Sequence, residues 1–163
     1  MDAPAVVEAE LAVLRRVVAE AEEWAESGGG GPFAAAVMVD GELLTLAHNE
    51  VVANADPTAH AEMTALRTAA RLRGSHHLSG AVLVTSTEPC PMCLAAAWWA
   101  RIDRVVFCAG REVASAAGFD DTLIYEELAT PLHARRLPVV QALAEEGSRP
   151  FQAWARSANR IPY

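Results

Sequence analysis

Three segments in a row leave this chain few folds to choose from: an apolar, β-branched run over Ala81–Ser86, a helix beginning near Pro91, and a second strand-like run over Arg104–Ala109. Proline suits the first position of a helix, and the turn Thr87–Glu88–Pro89–Cys90 delivers the chain to it. A strand, a helix of about ten residues and a strand close as a βαβ unit with parallel strands and a right-handed crossover. Parallel strands need helices over their faces, so the remaining segments must supply them.

Upstream, the spacing of Val7, Leu11, Leu14, Val18, Ala21 and Ala25 predicts an amphipathic helix with these residues on its buried face. Gly28–Gly31 stop that helix and Pro32 prevents its resumption. Without a following Lys-Ser or Lys-Thr the four glycines read as a turn and not as a phosphate loop. Phe33–Val39 and Glu42–Ala47 flank Asp40–Gly41 and read as a β-hairpin. Asn49–Ala55 reads as loop, after which Asp56 or Thr58 caps a helix over about Ala59–Arg73, ended by Gly74, with His60 in its first turn. Beyond Gly110, Thr122–Ala129 reads as helix, Leu137–Leu143 as strand or helix, and Pro150–Asn159 as a closing helix. The expected fold is a single α/β domain over 1–163: three layers, α/β/α, with one mixed sheet of about five strands.

Chemistry concentrates at two places. Cys90 and Cys93 stand three apart at a helix opening, where both thiols can turn toward one metal and the helix dipole favours thiolate. His60, from another helix, completes three ligands and leaves a fourth position for water. Glu62, two residues on, can take a proton from that water without binding metal. Two thiolates nearly neutralise a zinc ion, so it acidifies water less and a nearby carboxylate becomes more necessary. A closed structural zinc site is the competing reading, and His48, His76, His77 and His133 are the candidates for a fourth ligand, though none lies in a motif that argues for it. Cys108, inside Val105–Cys108, reads as a small core residue. With two of three cysteines committed to a pair and no disulfide framework, a reducing, cytoplasmic setting is expected. Glutamates from Glu8 onward interrupt any secretory signal, and no apolar run reaches membrane length. A net charge of −8 weighs against a polyanionic partner and favours a small substrate.

His60-x-Glu62 followed by Pro89-Cys90-x-x-Cys93 is the signature of zinc nucleobase deaminases. The wider pattern narrows that resemblance. Gly30–Phe33, Asp56–Glu62, Glu88–Leu94, Trp99–Arg101, Gly118–Asp121 and Pro150–Trp154 together resemble the bacterial guanine deaminases of the cytidine-deaminase superfamily. The resemblance implies a cytidine-deaminase-like fold, one zinc ion, and hydrolysis of guanine to xanthine and ammonia. It implies a base stacked near Phe33 and held by Asn49, with Ala61, Trp99 and Tyr163 completing the substrate-binding set and Asp121 as a second catalytic carboxylate near the departing amino group. It also implies a homodimer in which the segment from about 131 to 163 swaps onto the partner subunit and covers its site. Ala34 stands where the family tends to have glycine, and Trp98 where tyrosine is common; at these two positions beside the base pocket the chain departs from the family pattern. Related alternatives are guanosine deaminase and a cytosine or triazine deaminase of the ammeline type. A tRNA adenosine deaminase is disfavoured by the acidic balance, and a silent zinc-stabilised module by the presence of Glu62.

Overall fold

The computed structural model describes residues 5–162, and the chain divides into two units, Met1–Asp121 and Thr122–Tyr163. In the first, α1 (Glu8–Glu26) leads to β1 (Ala34–Val39), β2 (Glu42–His48), a short α2 (Val51–Asn54) and α3 (Ala61–Arg73), followed by β3 (Ala81–Thr87), α4 (Pro91–Trp99), β4 (Arg104–Ala109) and α5 (Arg111–Ala116). The second holds α6 (Thr122–Ala129), a 3-10 turn at Leu132–Ala134, α7 (Ala144–Gly147) and α8 (Arg149–Arg156).

Among the described residues the sheet has four strands, in the order β2-β1-β3-β4, where about five were expected. Leu137–Leu143 adopts neither strand nor helix. The expected βαβ unit is present, with β3 and β4 parallel and Val84 opposite Val106, while β1 runs antiparallel to both β2 and β3. Asp40 and Gly41 both have positive φ, 53° and 81°, as the mirror-image turn of a two-residue hairpin requires.

Successive residues of β1 serve opposite faces. Ala34, Ala36 and Met38 pack with Val84 and Val106 against Val13, Val17 and Ala21 of α1. Ala35 and Val37 pack with Leu83 against Ala61, Ala65, Leu66 and Ala69 of α3 and Ala97 of α4. Each fully buried Val or Leu contributes about 1.5–3 kcal/mol to this three-layer packing. Small side chains on β1 let both helix layers approach the sheet closely. The register of β1 against β2 shifts between Val37 and Met38. The extra residue in β2 puts both Leu44 and Thr45 on the α3 side, where the Thr45 hydroxyl donates to the Ala65 carbonyl at 3.3 Å.

The buried stripe of α1 differs from the expected one. It runs through Glu10, Val13, Val17 and Ala21, while Val7 and Val18 are exposed. Apolar residues occur on both flanks of the helix, and the sheet selects the Val13–Val17–Ala21 line at its every-fourth spacing. Glu10 comes into the core with that line because Arg104 of β4 pairs with it and the Val7 N–H donates to it. Cys108 is exposed, contrary to the core reading; it lies near the end of β4, two residues beyond Val106, the one buried residue of that strand.

Candidate active site

The strand pairings bring several chain segments to one end of the sheet. Ala34 lies opposite His48, Ala35 opposite Thr85, and Thr87 opposite Ala109. The start of β1 therefore lies beside the carboxyl ends of β2, β3 and β4, which is where open α/β sheets present their sites. Two bonds draw in the α3 entry: the Asn49 N–H donates to the Phe33 carbonyl and the Glu50 N–H to the Ala59 carbonyl, both at 2.9 Å.

His60 is the N-cap of α3, one residue outside the helix rather than in its first turn. Asp56 instead closes a turn, its carboxylate accepting from the Thr58 N–H and hydroxyl, both at 2.8 Å. Cys90 is likewise the N-cap of α4, with Pro91 following. Two helix amino termini therefore meet at one point, and their partial positive charge favours thiolate and carboxylate there. His60 Nδ1 stands 3.6 Å from Cys90 Sγ and 3.5 Å from Cys93 Sγ. The three donor atoms lie within 4.8 Å of one another.

Ordinary zinc bonds of about 2.3 Å to sulfur and 2.0–2.1 Å to nitrogen, at a tetrahedral angle, place N and S about 3.6 Å apart. The observed separations match, and two thiols with one imidazole are the donors zinc prefers. The protonation of the trio carries the same message. Hydrogen bonding from Cys93 lowers the Cys90 thiol to about 4 against the opposing effect of burial, with His60 adding to the lowering. Cys93 is pushed up by its bond to Cys90 and by burial, and His60 is raised chiefly by its bond to Cys90. The site readily carries one thiolate, and a dication is what would ionise the second. No other group of three or more potential metal ligands occurs among the described residues; His48 bonds Glu20 instead, Nδ1 to Oε1 at 2.7 Å. Purified protein is expected to hold one zinc per chain and Cys93→Ala to hold almost none; metal analysis finding full zinc in that variant would remove Cys93 from the ligand set.

Glu62, in the first turn of α3, is buried against these donors. Burial raises its carboxyl above the usual range, with its own backbone N–H and the His60 imidazole opposing. Asn49 is buried too, and its Oδ1 accepts the Val51 N–H at 3.2 Å, which turns the NH2 end outward from that bond. Phe33 meets Phe119 edge to face, centroids 4.8 Å apart. Asp121, two residues beyond Phe119, pairs with Arg111 at 3.2 Å. Ala61 is buried as a whole residue within the α3-side core. Its N–H, in the first turn, has no partner inside the helix. Trp99 is exposed at the end of α4, and Tyr163 lies outside the described residues.

Phe119 escaped the sequence reading, which gave a role only to Asp121 of the same Gly-Phe-Asp-Asp run; an aromatic after glycine carries no signal of its own. A cavity of about 310 Å³ bounded by Val18, Ala21, Phe33, Thr87 and Phe119 contains none of the metal donors. The metal chemistry belongs to the donor cluster, and Phe33 is a wall of the separate cavity.

A family model described as the cytidine and deoxycytidylate deaminase zinc-binding region matches residues 8–109. The chain is 44% identical over 150 residues to the guanine deaminase of Bacillus subtilis (strain 168), covering 92% of this chain and 96% of that protein. An X-ray structure of guanine deaminase from Bacillus subtilis superposes with a TM-score of 0.89 over 92% of this chain and 96% of that one, at 44% identity. A guanine deaminase from Nitrosomonas europaea is similar at a TM-score of 0.66 and 34% identity, over 74% and 70% of the two chains.

Proposed function

The chain belongs to the zinc-binding cytidine and deoxycytidylate deaminase family, and on that premise we propose that it hydrolyses guanine to xanthine and ammonia. The observation that carries the chemistry is a buried carboxylate, Glu62, beside one imidazole and two thiols at zinc-binding separations. Similarity to guanine deaminases over most of the chain supports the choice of base.

Zinc held by His60, Cys90 and Cys93 supplies Lewis-acid activation of water. Glu62 moves the protons one at a time: its carboxylate accepts one from the attacking water and passes it to the neighbouring ring nitrogen, then accepts the second from the newly added hydroxyl group and passes it to the departing amino group, which leaves as ammonia. Burial suits it to this work, since a carboxyl with raised proton affinity holds a proton long enough to pass it on. Phe33 offers a ring face to the purine, and Phe119, edge-on to it, fixes its tilt. Asn49 donates from its NH2 to an acceptor on the base, and Ala61, at the start of α3, belongs to the substrate-binding set by resemblance. Asp121, oriented by Arg111, stands as the carboxylate toward the leaving amino group, and the resemblance adds Trp99 and Tyr163 to the substrate-binding set.

The protein acts as a homodimer in which the C-terminal segment, about 131–163, covers the partner subunit's site. What supports this is resemblance in the tail, together with large apolar residues of the second unit exposed in a single chain, among them Val140, Leu143 and Phe151. Among the described residues no helix is long and apolar enough to cross a membrane. Free thiolate ligands fit a reducing cytoplasm.

A closed tail leaves little room for ribose. Guanine is therefore expected to outcompete guanosine when both are supplied in one vessel, with ammonia release from cytosine, adenine and ammeline as the wider comparison. Preference for the nucleoside would replace this reading with guanosine deamination.

A further inference from the structure

The end of α1 and the glycine run after it form a support that the chemistry above does not use. Ser27 caps α1, and Gly28 follows with φ +74°. The Gly28 N–H donates to the Ala25 carbonyl and the Gly29 N–H to the Trp24 carbonyl, at 3.1 and 3.3 Å, the bond pair of a Schellman motif. This reversal folds Gly29 back onto the Trp24 indole. A Cβ at Gly29 would lie 2.5–2.6 Å from three atoms of the six-membered ring, so only glycine fits there. A Cβ at Gly30 would stand 3.0 Å from the indole nitrogen, 3.3 Å from the Asn49 carbonyl and 3.7 Å from Asn49 Oδ1. A Cβ at Gly31 would stand 3.0 Å from the Phe33 ring and 3.4 Å from the Phe119 ring. The same indole stacks on His48, centroids 3.7 Å apart at 15°, and His48 is tied to Glu20, one helical turn before Trp24.

Trp24 thus touches, on separate sides of the chain, the glycine run that abuts Asn49 and the residue that immediately precedes Asn49. From this geometry we infer that Trp24 is a positioning residue for the purine: it sets the place of the Asn49 amide through Gly30 and His48. The inference rests on the reading of Asn49 as the group that holds the base. Trp24 lies on α1, behind the sheet end, and touches neither the metal donors nor the reacting atoms, so its influence is on base binding.

The test is steady-state kinetics with guanine on four single variants and one double, with zinc content measured on each. Trp24→Leu is expected to raise KM about five- to tenfold, the loss of one neutral hydrogen bond, with kcat changed little and one zinc retained. Trp24→Phe keeps a flat ring for His48 and Gly29 and is expected to stay within about twofold of the parent KM. Gly29→Ala leaves the indole intact but pushes the glycine run off it; it is expected to raise KM as Trp24→Leu does, and decides the matter if Trp24→Leu does not fold. Asn49→Ala is expected to raise KM by itself, and adding Trp24→Leu to it to raise KM no further, since two changes acting on one hydrogen bond do not add. Effects that multiply in the double variant, or Trp24→Leu and Gly29→Ala at parental KM, overturn the positioning role alone. An Asn49→Ala enzyme with unchanged KM overturns the base-holding reading and the inference with it.

Discussion

Glu62→Ala is expected to lower ammonia release from guanine by about a hundredfold or more, the scale of losing a general acid-base group, while the variant keeps one zinc per chain. The zinc should stay because Glu62 is no part of the donor trio of His60, Cys90 and Cys93. The fold should stay as well. A carboxylate this buried forfeits solvation in the folded chain, so its removal relieves a cost even as it leaves a small void between α3 and the donors. Thermal melting of the zinc-loaded variant should consequently lie at or above that of the parent. Ammonia release, metal analysis and melting on the same preparation separate the cases. Loss of turnover with zinc and melting retained assigns the proton shuttle to Glu62, whereas near-parental turnover removes it from the mechanism.

A second large effect is expected from mixing defects between subunits. A variant truncated after Asn159 and the Glu62→Ala variant should each be nearly inactive. Co-expressed, they pair at random, so half of the dimers are mixed. In a mixed dimer with exchanged tails, one site combines an intact Glu62 with an intact tail from the other subunit, and the second site carries both defects. Roughly a quarter of parental activity should therefore return, from one competent site in each mixed dimer of a two-fold assembly. Tails that close their own pockets leave one defect in every site, and nothing returns. Mixed dimers isolated with two affinity tags, and showing no activity above either parent, would end the exchanged-tail proposal. The exposed Leu143, Phe151 and Trp154 of the second unit are the apolar surface that such an exchange would cover.

Local rules sufficed for the βαβ unit and for the metal donors. The β-branched run Ala81–Ser86 favours a strand, Pro91 suits the first position of a helix, and a thiol pair three apart at that opening can turn toward one point. The hairpin at Asp40–Gly41 and the left-handed cap at Gly74 are of the same kind, since the conformation belongs to the residue itself. His60 and Glu62 were legible because their spacing accompanies that thiol pair; geometry then moved His60 from the first turn to the cap, and both helix ends onto the site.

Other features depended on neighbours remote in the chain. Periodicity on α1 offered two apolar flanks, and the sheet chose the one carrying Val13 and Val17, drawing in Glu10 because Arg104, far along the chain on β4, was there to pair with it. Cys108 lies in a run that reads as core, yet it is exposed near the end of β4, beyond the Val106 that packs against α1. Phe119 meets Phe33, and Trp24 meets His48 and Gly29, contacts that no spacing rule joins. What the sequence determined by itself is what one segment's covalent and local preferences can decide: element type, turns, and donors on one helix opening. Which face of a helix is buried, and which side chains meet across the end of a sheet, was decided by the tertiary structure, because those contacts form only once strand order and register are set.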